Sequence, residues 1–163
     1  QKGADDYLEK PFFPKILLAR IRNLIESREK LRTHFGNTGN KKPRIAGLNP
    51  LDREFLEKVY YMVEQNIGNG EFNINTLCNE LGISRVHLHR RFKGLTGITA
   101  KDYLTETRLK AAAALLEENR YTVSEVAYQV GFNNPSNFTT SFKSFYGISP
   151  KDYKSSRFGY KNG

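Results

Sequence analysis

A chain of 163 residues with 26 Lys and Arg against 17 Asp and Glu has a formal charge of +9, which points towards a polyanionic partner. Its length suits one well-cored domain with appendages rather than two large domains. The single cysteine, Cys78, excludes an internal disulfide, and no apolar run approaches the ~18 residues of a membrane helix, so a reducing, cytoplasmic setting is expected.

The excess charge is unevenly spread. Residues 1–35 carry 8 basic and 5 acidic side chains, 36–50 carry 3 and 0, and 51–163 carry 15 and 12. The C-terminal two-thirds is thus only mildly basic, and local clustering must do the steering. The opening QKGADDYLEKPFFP has no signal-peptide character, because charges interrupt every apolar stretch.

From Pro14, a favoured first helical residue, Ile16, Leu17, Ile21, Leu24, Ile25 and Leu31 recur at spacings of three and four, which predicts an amphipathic helix within 14–35. The turn formers of Gly36-Asn-Thr-Gly-Asn-Lys-Lys-Pro43 predict a flexible basic linker over 36–50. Everything after it reads as helical. Asn49-Pro50 starts a helix to about Asn66, with Phe55, Leu56, Val59, Met62, Val63 and Ile67 as its apolar face. A short helix at about 75–81 buries Leu77, Cys78 and Leu81; Gly82 then turns the chain into Ser84, a good N-cap. Helix, glycine turn, capped helix is the helix-turn-helix pattern.

The next helix buries Leu88 and Phe92 and leaves Arg85, Val86, His89, Arg90 and Lys93 on other faces. Thr99 caps a long helix to about Glu118, with Leu104, Ala111, Ala112, Leu115 and Leu116 as its stripe. Thr122-Val-Ser-Glu125 is a capping box for a helix that turns Val126, Ala127 and Val130 inward and ends at Gly131. Asn134-Pro135 opens another, with Phe138, Phe142 and Phe145 as its core face.

Sliding the chain against itself by 50 residues aligns Phe92-Lys-Gly-Leu-Thr-Gly-Ile-Thr-Ala-Lys-Asp-Tyr103 with Phe142-Lys-Ser-Phe-Tyr-Gly-Ile-Ser-Pro-Lys-Asp-Tyr153, seven of twelve positions being identical. Ser84 falls on Asn134 and Leu88 on Phe138, so the chain holds two copies of one unit. The long helix between them spans about 28 Å at 1.5 Å per residue, against about 34 Å for one turn of B-DNA. Two reading helices on such a rod suit successive major grooves of one duplex.

These residues carry a family resemblance. Residues 51–157 resemble the AraC/XylS-type DNA-binding domain along its full length. The match runs through Leu81-Gly-Ile-Ser-Arg-Val-His-Leu-His-Arg-Arg-Phe92, Arg108-Leu-Lys-Ala-Ala-Ala-Ala-Leu-Leu116, Glu125-Val-Ala-Tyr-Gln-Val-Gly-Phe132 and the Phe142 to Tyr153 stretch. The resemblance implies an all-α domain of seven helices, here with an extra N-terminal amphipathic helix, that activates transcription by binding double-stranded promoter DNA and contacting RNA polymerase. Gly3-Ala-Asp-Asp-Tyr-Leu-Glu-Lys-Pro-Phe12 resembles the final strand, loop and helix of a two-component receiver. The implied organisation is a receiver fragment (1–35), linker (36–50), DNA-binding domain (51–157) and tail (158–163), as at the C-terminal end of a hybrid sensor that is itself membrane-anchored or cytoplasmic. Lys10 would then be the lysine that bonds the phosphoryl group, before a cis Pro11. Asp5 and Asp6 do not match the phosphoacceptor.

By family position Val86, His89 and Arg90 face bases, with Arg85 beside them; Arg91 and Lys93 are expected at phosphates, which position a protein without specifying sequence. His87 is expected to pack against the core. On the second reading helix Ser136, Asn137, Thr140 and Lys143 are the candidates, and its small neutral side chains suit anchoring more than specification. Arg108, on the apolar stripe, is expected to be structural, held by a carboxylate or several carbonyls. Cys78 reads as inert packing, and His87 and His89, two apart on a helix, diverge too far to share a metal. No cofactor, metal or small-molecule ligand is expected, and the absence of a phosphate loop or nucleophile-base constellation argues against an enzyme. The 14–35 stripe is expected to promote a homodimer. The competing reading is a protein-interaction module that attracts DNA only incidentally; sequence discrimination would separate the two.

Overall fold

The computed structural model describes residues 47–158, and within them all regular structure is helical. The expected 14–35 helix, most of the linker, the 159–163 part of the tail, Lys10 and its cis bond lie outside the described residues. Seven helices follow in order: α1 Pro50–Gln65, α2 Ile74–Leu81, α3 Arg85–Thr96, α4 Ala100–Glu118, α5 Val123–Gln129, α6 Pro135–Tyr146 and α7 Pro150–Phe158. None of them is long and apolar enough to cross a membrane.

Local chemistry sets the boundaries. Asn49 Oδ1 accepts from Asp52 N at 2.9 Å to start α1, and Asn73 Oδ1 accepts from Asn75 N at 2.8 Å to start α2. Gly82, at φ +66, stops α2, a left-handed conformation that a side chain would resist. The capping box is present in full: Glu125 N donates to Thr122 Oγ1 at 3.2 Å while Thr122 N donates to Glu125 Oε2 at 2.8 Å. Each such cap satisfies donors that the first helical turn would leave unpaired, worth about 1 kcal/mol.

Two hydrophobic cores share one helix. The first joins α1, α2 and α3 to the start of α4 through Phe55, Leu56, Val63, Leu77, Leu88 and Phe92. The second joins the rest of α4 to α5 and α6 through Leu109, Leu115, Val126, Val130, Phe138 and Phe142. The expected α4 stripe was too narrow, since every residue from Ala111 to Leu116 is buried. The reason is that α4 packs against α1, α3, α5, α6 and α7, so its second half meets helices on all sides and uses alanines to let them approach. Tyr153 Oη donates to Glu117 Oε1 at 2.6 Å and Lys154 Nζ to Tyr121 O at 2.7 Å, which ties α7 back onto the second unit.

Candidate nucleic-acid interface

Helix α3 is seated by Leu88 and Phe92, both 0% exposed, and started by Ser84, whose Oγ accepts from His87 N at 3.1 Å. With those two side chains fixed inward, helical periodicity turns Arg85, Val86, His89, Arg90 and Lys93 outward together, and all five are exposed. Val86 is 65% exposed, a branched apolar group that the described residues leave uncovered. A guanidinium pair, an imidazole, an ammonium and an apolar contact on one face are the chemistry that reads base edges and thymine methyls between phosphates.

On α3 the structure gives Arg91 partners that the sequence did not foresee and corrects the placement of His87. Arg91, expected at a phosphate, turns back onto α1: its Nη2 lies 3.1 Å from Asp52 Oδ1 and 3.3 Å from Leu51 O, and its guanidinium carbon sits 4.2 Å from the centre of the Phe55 ring. A cation held by a carboxylate, a carbonyl and a ring face serves to fix α3 on α1. His87, expected to pack, is exposed, because it belongs to the first turn, where Leu88 alone reaches the core.

Helix α6 repeats the seating with different cargo. Asn134 caps it, accepting from Ser136 N at 2.8 Å, and Phe138 and Phe142 are both 0% exposed. Ser136, Asn137, Thr140 and Lys143 are exposed. The 50-residue register pairs Ser136 with Val86, Thr139 with His89, Thr140 with Arg90 and Lys143 with Lys93. Thr139 Oγ1 donates to Pro135 O and Thr140 Oγ1 to Ser136 O, both at 3.0 Å. Those hydroxyl protons are spent within the helix, and what remains for a ligand is the acceptor lone pairs of each oxygen and a methyl group.

The first turns of the two helices open on one cleft. Arg85 from α3 and Asn137 from α6 line a cavity of about 420 Å³ together with Lys101, Thr105, Arg108 and Asn133. A second hollow of about 370 Å³ runs along α3 past Val86 and His89 and again ends on Lys101. Sequence reasoning missed Lys101, an exposed residue in the first turn of α4, because a lysine there is ordinary on any solvated helix. Only the packing of α4 across α3 sets it beside Arg85. Cys78 is buried beneath this face, and desolvation raises its thiol above the usual value while the nearby Arg85 charge lowers it. It is a packing residue, as expected.

Comparison with known proteins agrees with this geometry. A family model described as a helix-turn-helix domain matches residues 77–156. A protein of Formosa agariphila named histidine kinase P4 is 36% identical over 154 residues, 94% of this chain but 11% of that protein, so the chain spans about a tenth of that curated relative. The C-terminal domain of the two-component response regulator yesN from Fusobacterium nucleatum is 33% identical with a TM-score of 0.60, over 62% of this chain and 98% of that one. The C-terminal domain of AraT, a response regulator from Geobacillus stearothermophilus, is 28% identical with a TM-score of 0.61, over 69% and 89%. The seven-helix order, the two capped helices and these relatives together show the family: the chain belongs to the AraC-type helix-turn-helix domains.

Proposed function

We propose that the chain binds promoter DNA through α3 and α6 in successive major grooves of one duplex, with α3 supplying most of the sequence discrimination. The observation that carries this reading is the single cleft lined by Arg85 and Asn137: the first turns of both helices face the same side, as one duplex face requires. The 19 residues of α4 give a rod of about 28 Å, close to the ~34 Å between equivalent grooves. Val86, His89 and Arg90 read bases, with Arg85 at the groove edge. Lys93 and Lys101 take phosphates near α3, and Lys143 does so near α6. Ser136, Asn137 and Thr140 tune the second half-site through short hydrogen bonds and methyl contact.

The module serves as the output end of a hybrid two-component protein. Support comes from the match of 94% of this chain, beyond the seven-helix domain, to a protein named as a histidine kinase, and from the response regulators among the structural relatives. In that context Lys10 is the receiver-type lysine, RNA polymerase is the partner on the promoter, and residues 14–35 pair two chains. Selection of bound duplexes from a random pool tests the DNA reading. Two informative half-sites about one turn apart support it, and enrichment of no motif contradicts it.

A further inference from the structure

The two units are joined by more than the shared helix. Arg108, midway along α4, donates from Nε to Ile67 O at 3.3 Å and from Nη2 to Asn69 O at 2.8 Å and Phe72 O at 3.0 Å, three carbonyls of the α1–α2 loop in the first unit. Burial lowers its pKa to about 10, which leaves it cationic at neutral pH and in need of those acceptors. Gly131, in the α5–α6 turn of the second unit, lies directly against the same guanidinium and the Ile67 carbonyl. A methyl group at that position would collide with both, and its φ of +88 already excludes most side chains. Beside it Asn133 Nδ2 donates to Gly70 O at 3.1 Å, and Gly70 leaves no room for a Cβ beneath the Asn133 amide. The helix-turn-helix turn of the second unit is thus plugged into the loop of the first, with Arg108 as the peg. Gly82, the glycine that follows α2 in the first unit as Gly131 follows α5 in the second, has open space around it, so this contact belongs to the junction and not to the repeated scaffold.

We infer that Arg108, Gly131 and Asn133 form a latch that fixes α6 relative to α3 and so sets which spacing of half-sites the chain accepts. The inference rests on the reading that both units touch DNA. A rigid junction presents the second helix at one distance and one rotation about the duplex. Each added base pair turns the far half-site by roughly 35°, and a fixed pair of helices cannot follow. A loosened junction follows at the cost of effective concentration.

The test measures binding to duplexes in which the two selected half-sites are moved apart or together one base pair at a time, alongside a duplex carrying the first half-site alone. The unaltered chain should show one preferred spacing, about tenfold tighter than its neighbours. Asn133→Ala and Gly131→Ala should flatten or shift that profile, a larger effect than any change they make in affinity for the first half-site alone, and Arg108→Lys should retain more of the preference than Arg108→Met. Asn133 is exposed, so Asn133→Ala keeps the test informative if Gly131→Ala does not fold. A peaked profile that stays the same in all these variants overturns the latch and leaves the two-unit reading standing. A flat profile in the unaltered chain overturns both.

Discussion

In the first unit Gly97 ends α3 at φ +80, its N–H bonded to Lys93 O at 2.8 Å; in the second Gly147 ends α6 at φ +80, bonded to Lys143 O at 2.8 Å. Asp102 N reaches Thr99 Oγ1 at 3.0 Å, and Asp152 N reaches Ser149 Oγ at 3.1 Å. Tyr103 packs 5.8 Å from Phe92 and Tyr153 packs 5.4 Å from Phe142. The scaffold therefore repeats at these caps and ring contacts, while the exposed faces do not: arginine and histidine on α3 stand where threonines that bond their own helix stand on α6. The difference separates what a repeat must keep in order to fold from what it is free to change in order to recognise. It also assigns the two helices unequal work on the duplex.

The comparison breaks most visibly in the core. Phe92→Ala and Phe142→Ala each remove a fully buried ring, and thermal or denaturant unfolding should show losses of about 3 to 5 kcal/mol in both units alike. A large loss in one unit and a small one in the other would mean the scaffolds are not equivalent. On DNA the effects should diverge. Arg90→Ala is expected to weaken a cognate site by about 1 to 3 kcal/mol and relax preference at one position. Thr140→Ala, its counterpart, should cost clearly less in the same titration, and equal losses would contradict the asymmetry. Lys93→Ala, Lys101→Ala and Lys143→Ala should each weaken all sequences alike and lower the salt slope of binding by about 1. Smallest of all, Arg91→Ala should leave that slope unchanged and act on stability, since its charge is engaged with Asp52 and the Phe55 ring; a reduced slope would return it to the phosphates.

Much of this was legible in the sequence, for identifiable physical reasons. Caps at Asn49, Ser84, Thr99, Thr122 and Asn134 depend on short polar side chains bonding backbone two or three residues on, so local sequence suffices to find them. The apolar spacing of Leu88 with Phe92 and of Phe138 with Phe142 fixed which side chains face outward. Three features were not legible, because they depend on residues far apart in the chain. Arg91 meets Asp52 across 39 positions, and nothing local distinguishes it from Arg90 beside it. Lys101 becomes part of the α3 surface only once α4 crosses it. Arg108 could be given carbonyl partners in general terms, but the loop that supplies them, and the Gly131 and Asn133 turn behind it, follow only from the docking of one unit on the other.

The most direct test of unequal reading is to substitute every base pair of a selected site in turn and measure the affinity of each duplex at fixed salt. Steep losses of about 1 to 3 kcal/mol per position clustered in the half-site under α3, with shallow losses under α6, are the predicted result. Equal losses in the two half-sites, or the steeper set under α6, would contradict it.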